Sequence, residues 1–257
     1  MTTLRVYWLD PAIPEAAFPD PRLALTQPNG LLAMGGDLSP QRLRRAYASG
    51  IFPWYNPDES ILWWCPNPRT VFDTSAIHVS RRLARTLRQG DYAVTLDHDF
   101  DAVLAACAGP RRGNPGTWLG PDMRAAYARL HALGDAHSIE VWHHGRLVGG
   151  LYGIALGRMF FGESMFSHKT DASKIALVWL TRQLATWGFP LLDGQVGSGH
   201  LYLMGAQDMT RADFLRQIHI LQQQPAPDTP WRFTLDVPAA SRHLPGAAAR
   251  DQSARQP

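Results

Sequence analysis

The chain has 257 residues, 45% of them hydrophobic and 18% charged, with a formal net charge of +3. That length can bury a sizeable core, as one large domain or as a small and a large one, and the composition is that of a globular protein. Nothing approaches an apolar run of about 18 residues, so no transmembrane helix is expected, and so small a net charge does not by itself mark a nucleic-acid binder.

The N-terminus, MTTLRVYWLDPAIPEAAFP, lacks the basic segment, apolar core and cleavage site of a signal peptide. Cys65 and Cys107 lie far apart and outside any C-x-x-C, which argues against a zinc site and for a cytoplasmic protein with free thiols. Residues 4–36 are turn-rich, with Pro28-Asn29-Gly30 as the strongest turn signal. Ser39 followed by Pro40 predicts a helix to Ser49, stopped by Gly50. Residues 50–69, GIFPWYNPDESILWWCPNPR, carry too many prolines for a helix. They read as a stiff loop pinned by buried aromatics, or as rings forming a wall for a purine ligand.

A strand at 70–73 precedes a helix capped by Ser80 and closed by Gly90. This helix carries Arg81, Arg82, Arg85 and Arg88 and no acid, and residues 81, 85 and 88 share one face. Such a face suits either solvent or a phosphate backbone, and the latter is preferred here. A strand ending in Asp99 is followed by a helix that Asp99 caps, then by a basic Gly/Pro-rich loop without the spacing of a nucleotide P-loop. Pro121 starts a helix through Leu133, ended by Gly134.

Residues 137–165 predict a three-stranded meander with turns at His144-Gly145 and Gly157-Arg158. Its interior glycines at 149, 150, 153 and 162 would serve bulges or the close approach of a ligand. A helix over 171–187, apolar on several faces, is predicted to be buried. A short strand, Pro190 to Leu192, then delivers Asp193 and Gln195, while Glu163 ends the apolar meander. Acids at the ends of apolar elements are costly without a partner or a task, so this stretch is the expected active site. Thr210 starts a last helix with Asp213 as its capping partner, and residues 239–257 are expected to be disordered.

The element order predicts an α+β fold: a small N-terminal domain (1–68) and a larger acetyltransferase-like, GNAT-type catalytic domain (69–238). Coenzyme A binding in that fold uses a Gly-rich loop before the helix. Residues 167–174, SHKTDASK, contain no glycine, which argues for another acyl carrier. GESMF lacks the last glycine of a serine-hydrolase elbow, and the ten histidines show no metal-ligand spacing.

Several strings together are specific: PNGLLAMGGDLSPQRLRRAYASGIFPWY, ILWWCPNPR, GTW, AHSIEVW, LVGGLYG, FFGESMFS, ASK, LLDGQV, HL and Gly205-Ala206. In this order, over roughly residues 18–215, the chain resembles the bacterial leucyl/phenylalanyl-tRNA–protein transferases. The resemblance implies transfer of Leu, Phe or, less well, Met from aminoacyl-tRNA to the N-terminal amine of proteins beginning with Arg or Lys, a signal for N-degron proteolysis. It implies a monomer working without metal or coenzyme. It implies that Trp54 and Trp118 contact the tRNA terminal adenosine, and that Leu151, Phe160, Leu180 and Leu192 form the side-chain pocket. Arg81, Arg82, Arg85 and Arg88 would hold the acceptor stem, and Glu163, Asp193 and Gln195 would surround the reacting groups.

For aminolysis of an ester, Gln195 is better read as an orienting acceptor than as a base, because a neutral amide is a very poor base. Asp193 would hold Gln195 or an ammonium group, and the two acids together would suit a basic acceptor. Two other readings are an aminoacyl-tRNA-dependent transferase acting on a cell-wall precursor, and a non-catalytic tRNA-binding module.

Overall fold

The computed structural model describes residues 6–13, 15–109, 119–227 and 231–238. Trp118 and the 239–257 tail, with the expectations attached to them, lie outside these residues.

The first sheet holds β1 (Tyr7–Leu9), β2 (Leu31–Gly35), β3 (Phe52–Pro53) and β4 (Leu62–Trp64), in spatial order β1-β2-β4-β3. The proline-rich 50–69 segment therefore supplies two short strands where only a stiff loop is expected. Pro53 is tolerated because β3 is an edge strand. Helix α1 (Pro40–Ala48) starts as predicted: the Ser39 hydroxyl accepts from the Arg42 N–H, and Pro40 fills the first position. Trp63 is fully buried and donates its indole N–H to the Gly35 carbonyl at 2.9 Å.

The second sheet contains β5 (Arg69–Asp73), β6 (Ala93–Leu96), β7 (Ala136–His143), β8 (Arg146–Leu156), β9 (Met159–Ser167), β10 (Leu191–Gln195) and β11 (Gln207–Met209). Its order is β11-β5-β10-β9-β8-β7-β6, antiparallel throughout except for the β9–β10 pair. The helices are α2 (Arg81–Gln89), α3 (Phe100–Cys107), α4 (Pro121–Ala132), α5 (Ala172–Thr186), α6 (Gly199–Leu203) and α7 (Arg211–Leu221). The predicted meander is β7–β8–β9, and α5 is the crossover that parallel strands require.

Successive side chains of β9 face opposite cores, as the strand period demands. Met159 and Phe161 pack with Tyr47, Val103 and Tyr127, whereas Phe160 packs with Leu177, Leu180 and Leu192. Gly149 and Gly153 admit protein rather than ligand, since a Cβ on Gly149 would lie 2.5 Å from the Ala172 Cβ and one on Gly153 would lie 2.2 Å from the Phe161 carbonyl oxygen. Close packing of α5 and of the neighbouring strand therefore accounts for both. Gly162, paired with Gly153 at a bulge, instead lines the cavity beside Glu163.

Candidate active site

Two bulges shape the site. Tyr152 pairs with Ser164 and Gly153 with Gly162, which leaves Glu163 as the extra residue of β9. Asp193 pairs with Val71 and Gln195 with Thr70, which leaves Gly194 as the extra residue of β10. Pairing between β9 and β10 ends at Asp193–Phe161, so both bulges lie just beyond the paired stretch. A bulge re-aims the side chain next to it. Here the outcome is a hydrogen bond across the gap, from Gln195 Nε2 to Glu163 Oε1 at 2.8 Å.

The other oxygen of Glu163 accepts from the Tyr127 hydroxyl of α4 at 2.6 Å, and the hydroxyls of Tyr127 and of Tyr47 in α1 are 2.7 Å apart. Burial disfavours the carboxylate charge, while the hydrogen bonds of Tyr127 and Tyr47 favour it. The negative charge of Asp193 adds to the upward push, Arg69 opposes it, and the Glu163 pKa is pushed up to about 7. Burial, and next the neighbouring Glu163 charge, raise both tyrosines well above their usual value, so both remain protonated donors.

Asp193 lines the cavity, but its carboxylate is already engaged by a cation of the chain itself. Its carboxylate is fully buried and takes both prongs of Arg69, at 2.8 and 2.6 Å. Its Oδ1 also accepts the Gln195 backbone N–H at 2.8 Å. The expectation that Asp193 holds Gln195 is correct for the backbone. The side-chain amide is held by Glu163 instead, so of the two acids that line the cavity Asp193 is committed to Arg69 and Glu163 to uncharged donors.

Behind Glu163 and Gln195 is a cavity of about 210 Å³, lined by Leu151 and Leu192 together with Phe72, Met165, Leu177 and Leu201. Phe160 and Leu180 are buried in the same apolar cluster but do not line this cavity, so they form the layer behind its wall. Trp54 is 47% exposed, with its ring 5.8 Å from that of Trp64. Its neighbours Phe52 and Trp63 are core residues and Tyr55 and Trp64 are half-buried, which leaves Trp54 as the most exposed ring of that segment.

The α2 arginines are all exposed. Arg82 is not without an acid, however: it donates to both oxygens of Asp171, at 3.1 and 3.0 Å, while Arg81, Arg85 and Arg88 form the remaining basic surface of the helix. Among the described residues no three His, Cys, Asp or Glu side chains gather as a metal site.

Sequence reasoning missed Arg69, Tyr47 and Tyr127. Tyr127 lies between Met123 and Leu130 on the buried stripe of α4, where a tyrosine reads as core. Arg69 opens a short strand whose acid, Asp73, lies at the far, exposed end, and an arginine leading into buried residues was the available signal.

An apolar cavity rimmed by the Glu163 carboxylate and the Gln195 amide, with two buried phenols behind the carboxylate, is suited to aligning two substrates. The comparisons give this arrangement its class. Residues 71–219 match the leucyl/phenylalanyl-tRNA protein transferase family, and residues 36–67 match the N-terminal domain of that family. The chain is 53% identical to the leucyl/phenylalanyl-tRNA–protein transferase of Alkalilimnicola ehrlichii, over 93% of each chain. It is 53% identical to that of Nitratidesulfovibrio vulgaris strain DP4, over 91% of this chain and 98% of the other. It is 54% identical to that of Cellvibrio japonicus, over 85% and 92%. Among solved structures, L-PGS from Bacillus licheniformis is similar at a TM-score of 0.37 and 11% identity, covering 65% of this chain and 54% of that one, too remote to carry an argument.

The chain is thus an aminoacyltransferase. It belongs to the leucyl/phenylalanyl-tRNA–protein transferase family.

Proposed function

We propose that the chain moves leucine, phenylalanine and, less well, methionine from aminoacyl-tRNA to the N-terminal amine of proteins that begin with Arg or Lys, marking them for N-degron proteolysis. The observation that carries this reading is the Gln195–Glu163 hydrogen bond at the rim of an apolar cavity. Leu151, Leu192 and Leu177 surround the donor side chain, with Phe160 and Leu180 supporting them from behind. Trp54, and Trp118 with it, receives the tRNA terminal adenosine, and the α2 arginines receive acceptor-stem phosphates. The division into domains 1–68 and 69–238, a GNAT-type fold for the second, a monomeric state and a cytoplasmic location belong to the same reading. The parallel β9–β10 pair, which stops at the site, supports the fold assignment.

In the reaction the acceptor nitrogen attacks the aminoacyl ester carbonyl, the new C–N bond forms, the C–O bond to the tRNA ribose breaks, and the amine proton ends on the departing 3′-oxygen. The ester is already activated, so positioning supplies most of the catalysis and no coenzyme is required. Ionised Glu163 accepts from both Tyr127 and Gln195. With Nε2 so committed, the Gln195 oxygen is the atom left to accept from the attacking amine. The charge of Glu163 also favours a cationic acceptor nearby.

The test is to mix the purified protein with radiolabelled Leu-tRNA and a protein beginning with Arg. Label should enter that protein and not the same protein with a blocked N-terminus. Equal labelling of both would reject an N-terminal amine as acceptor, and no labelling of either would reject the transfer.

A further inference from the structure

Arg69 is among the most completely buried side chains of the molecule, and its polar and ring partners converge behind Gln195. Nε and Nη2 donate to the two oxygens of Asp193 at 2.8 and 2.6 Å, and Nη1 donates to the Gly50 carbonyl at 3.1 Å. The guanidinium lies 4.8 Å from the ring centre of Phe52 and 4.5 Å from that of Phe214. It is therefore fixed at once by the segment entering the first sheet, by α7 and by β10. Only a planar, five-donor cation can fork onto a carboxylate while stacking against rings, and lysine cannot.

The consequence lies two residues beyond Asp193. Gln195 has φ +60°, a conformation that a non-glycine residue adopts only when its surroundings impose it. Asp193 Oδ1 imposes it by accepting the Gln195 N–H at 2.8 Å, across the bulge at Gly194. The same turn aims the Gln195 amide at Glu163.

We propose that Arg69 is a positioning residue for the transfer reaction: acting through Asp193, it fixes the backbone of Gln195 and with it the direction of the Gln195 amide at the rim of the cavity. This rests on the transferase reading above. Asp193 is on this account a buried relay of geometry and takes no part in moving the proton. Arg69 touches neither substrate, so its replacement changes the rate only by misplacing Gln195.

The test is a double-mutant cycle on the full-length chain, read as the single-turnover rate of Leu transfer from Leu-tRNA to an Arg-starting peptide. Arg69→Lys should slow transfer on the order of 100-fold, the size of effect that a misplacement of about 1 Å produces. Leu-tRNA affinity should stay within about threefold, since residues that touch tRNA are unaltered. Because Gln195→Ala removes the group that Arg69 positions, Arg69→Lys combined with Gln195→Ala should be no slower than Gln195→Ala alone. Multiplying losses in the double variant, or a wild-type rate in Arg69→Lys, would overturn the proposal. If Arg69→Lys does not fold, Phe214→Leu loosens the guanidinium from one side and enters the same cycle with the same two outcomes. Failure of the transferase reading is distinguishable, because the wild-type protein itself would then transfer no leucine.

Discussion

Gln195 Nε2 donates to Glu163 Oε1 over 2.8 Å, joining two strands at the point where they cease to pair with each other. Each partner owes its direction to a bulge, and each is held from behind by a buried residue, Tyr127 for Glu163 and Asp193 for Gln195. The amide points its N–H₂ at Glu163 only while Glu163 is an acceptor. A proton on that oxygen would place two donors face to face.

Removing the Tyr127 hydroxyl therefore has a signed effect. That hydroxyl favours the charged form of Glu163, so Tyr127→Phe should move the Glu163 titration above its wild-type position near 7. Transfer by Tyr127→Phe should fall most below pH 7 and recover toward wild type above pH 8. An equal loss at every pH would assign Tyr127 to packing alone.

The cavity lining predicts a division between residues of the wall and residues behind it. Leu177→Ala enlarges the wall and should raise the Phe-to-Leu donor ratio on the order of tenfold, within the range that small apolar changes produce. Phe160→Ala should leave that ratio within about threefold while destabilising the fold by about 3–5 kcal/mol. Competition between labelled Leu-tRNA and Phe-tRNA, with thermal melting alongside, measures both.

On α2, charge reversal at Arg85 and Arg88 should weaken tRNA binding and flatten its salt dependence, by about 0.7–0.9 in log–log slope for each phosphate that is no longer neutralised. Arg82, already paired with Asp171, should matter less. Filter binding of Leu-tRNA from low to high salt decides this, and an unchanged slope removes α2 from the footprint.

Glu140 supplies a stability test away from the site. It is fully buried, accepts from Thr95, Ser138 and the His98 N–H, and is pushed up to about 7, with burial outweighing those bonds. Below about pH 4.5 it is neutral in both folded and unfolded chains, so it imposes no charge-burial cost. Between about 4.5 and 7 the unfolded chain ionises first, and stability falls as pH rises. Glu163 acts in the same direction. Tm should therefore decline from pH 5 to pH 7.5, and Glu140→Gln should have a lower Tm at pH 5 and a shallower decline. A parallel decline would remove Glu140 as a source of the slope.

Much of this was legible in the sequence because its signals are local. Ser39, Ser80, Asp99 and Thr210 each cap the helix predicted for them, and His144-Gly145 turns the hairpin between β7 and β8. Glu163 and Gln195 stood out as polar groups ending apolar elements. What stayed hidden depends on pairing. The bulges exist only in the register of two strands, and the partner of Asp193 lies 124 residues away, in a strand that reads as ordinary core. Phe160 and Leu180 have the apolar character of a pocket wall, and only packing separates the wall from the layer behind it. The short elements α6 and β11 carry too few residues for a periodic signal.

The most direct test of the site is the single-turnover rate of leucine transfer to an Arg-starting peptide across pH 5.5–9, for the wild type and Glu163→Gln. The wild-type rate should rise through about pH 7, as Glu163 ionises and turns the Gln195 oxygen toward the amine. Glu163→Gln should lose the part of the rise centred at about 7 and keep the rise at about 8 that comes from deprotonation of the attacking α-amine. It should be slower on the order of 100-fold at its best pH, the effect of misplacing a reacting group by about 1 Å. A Glu163→Gln enzyme with wild-type rate and profile would contradict the assignment of Glu163 and Gln195 as the pair that orients the attacking amine.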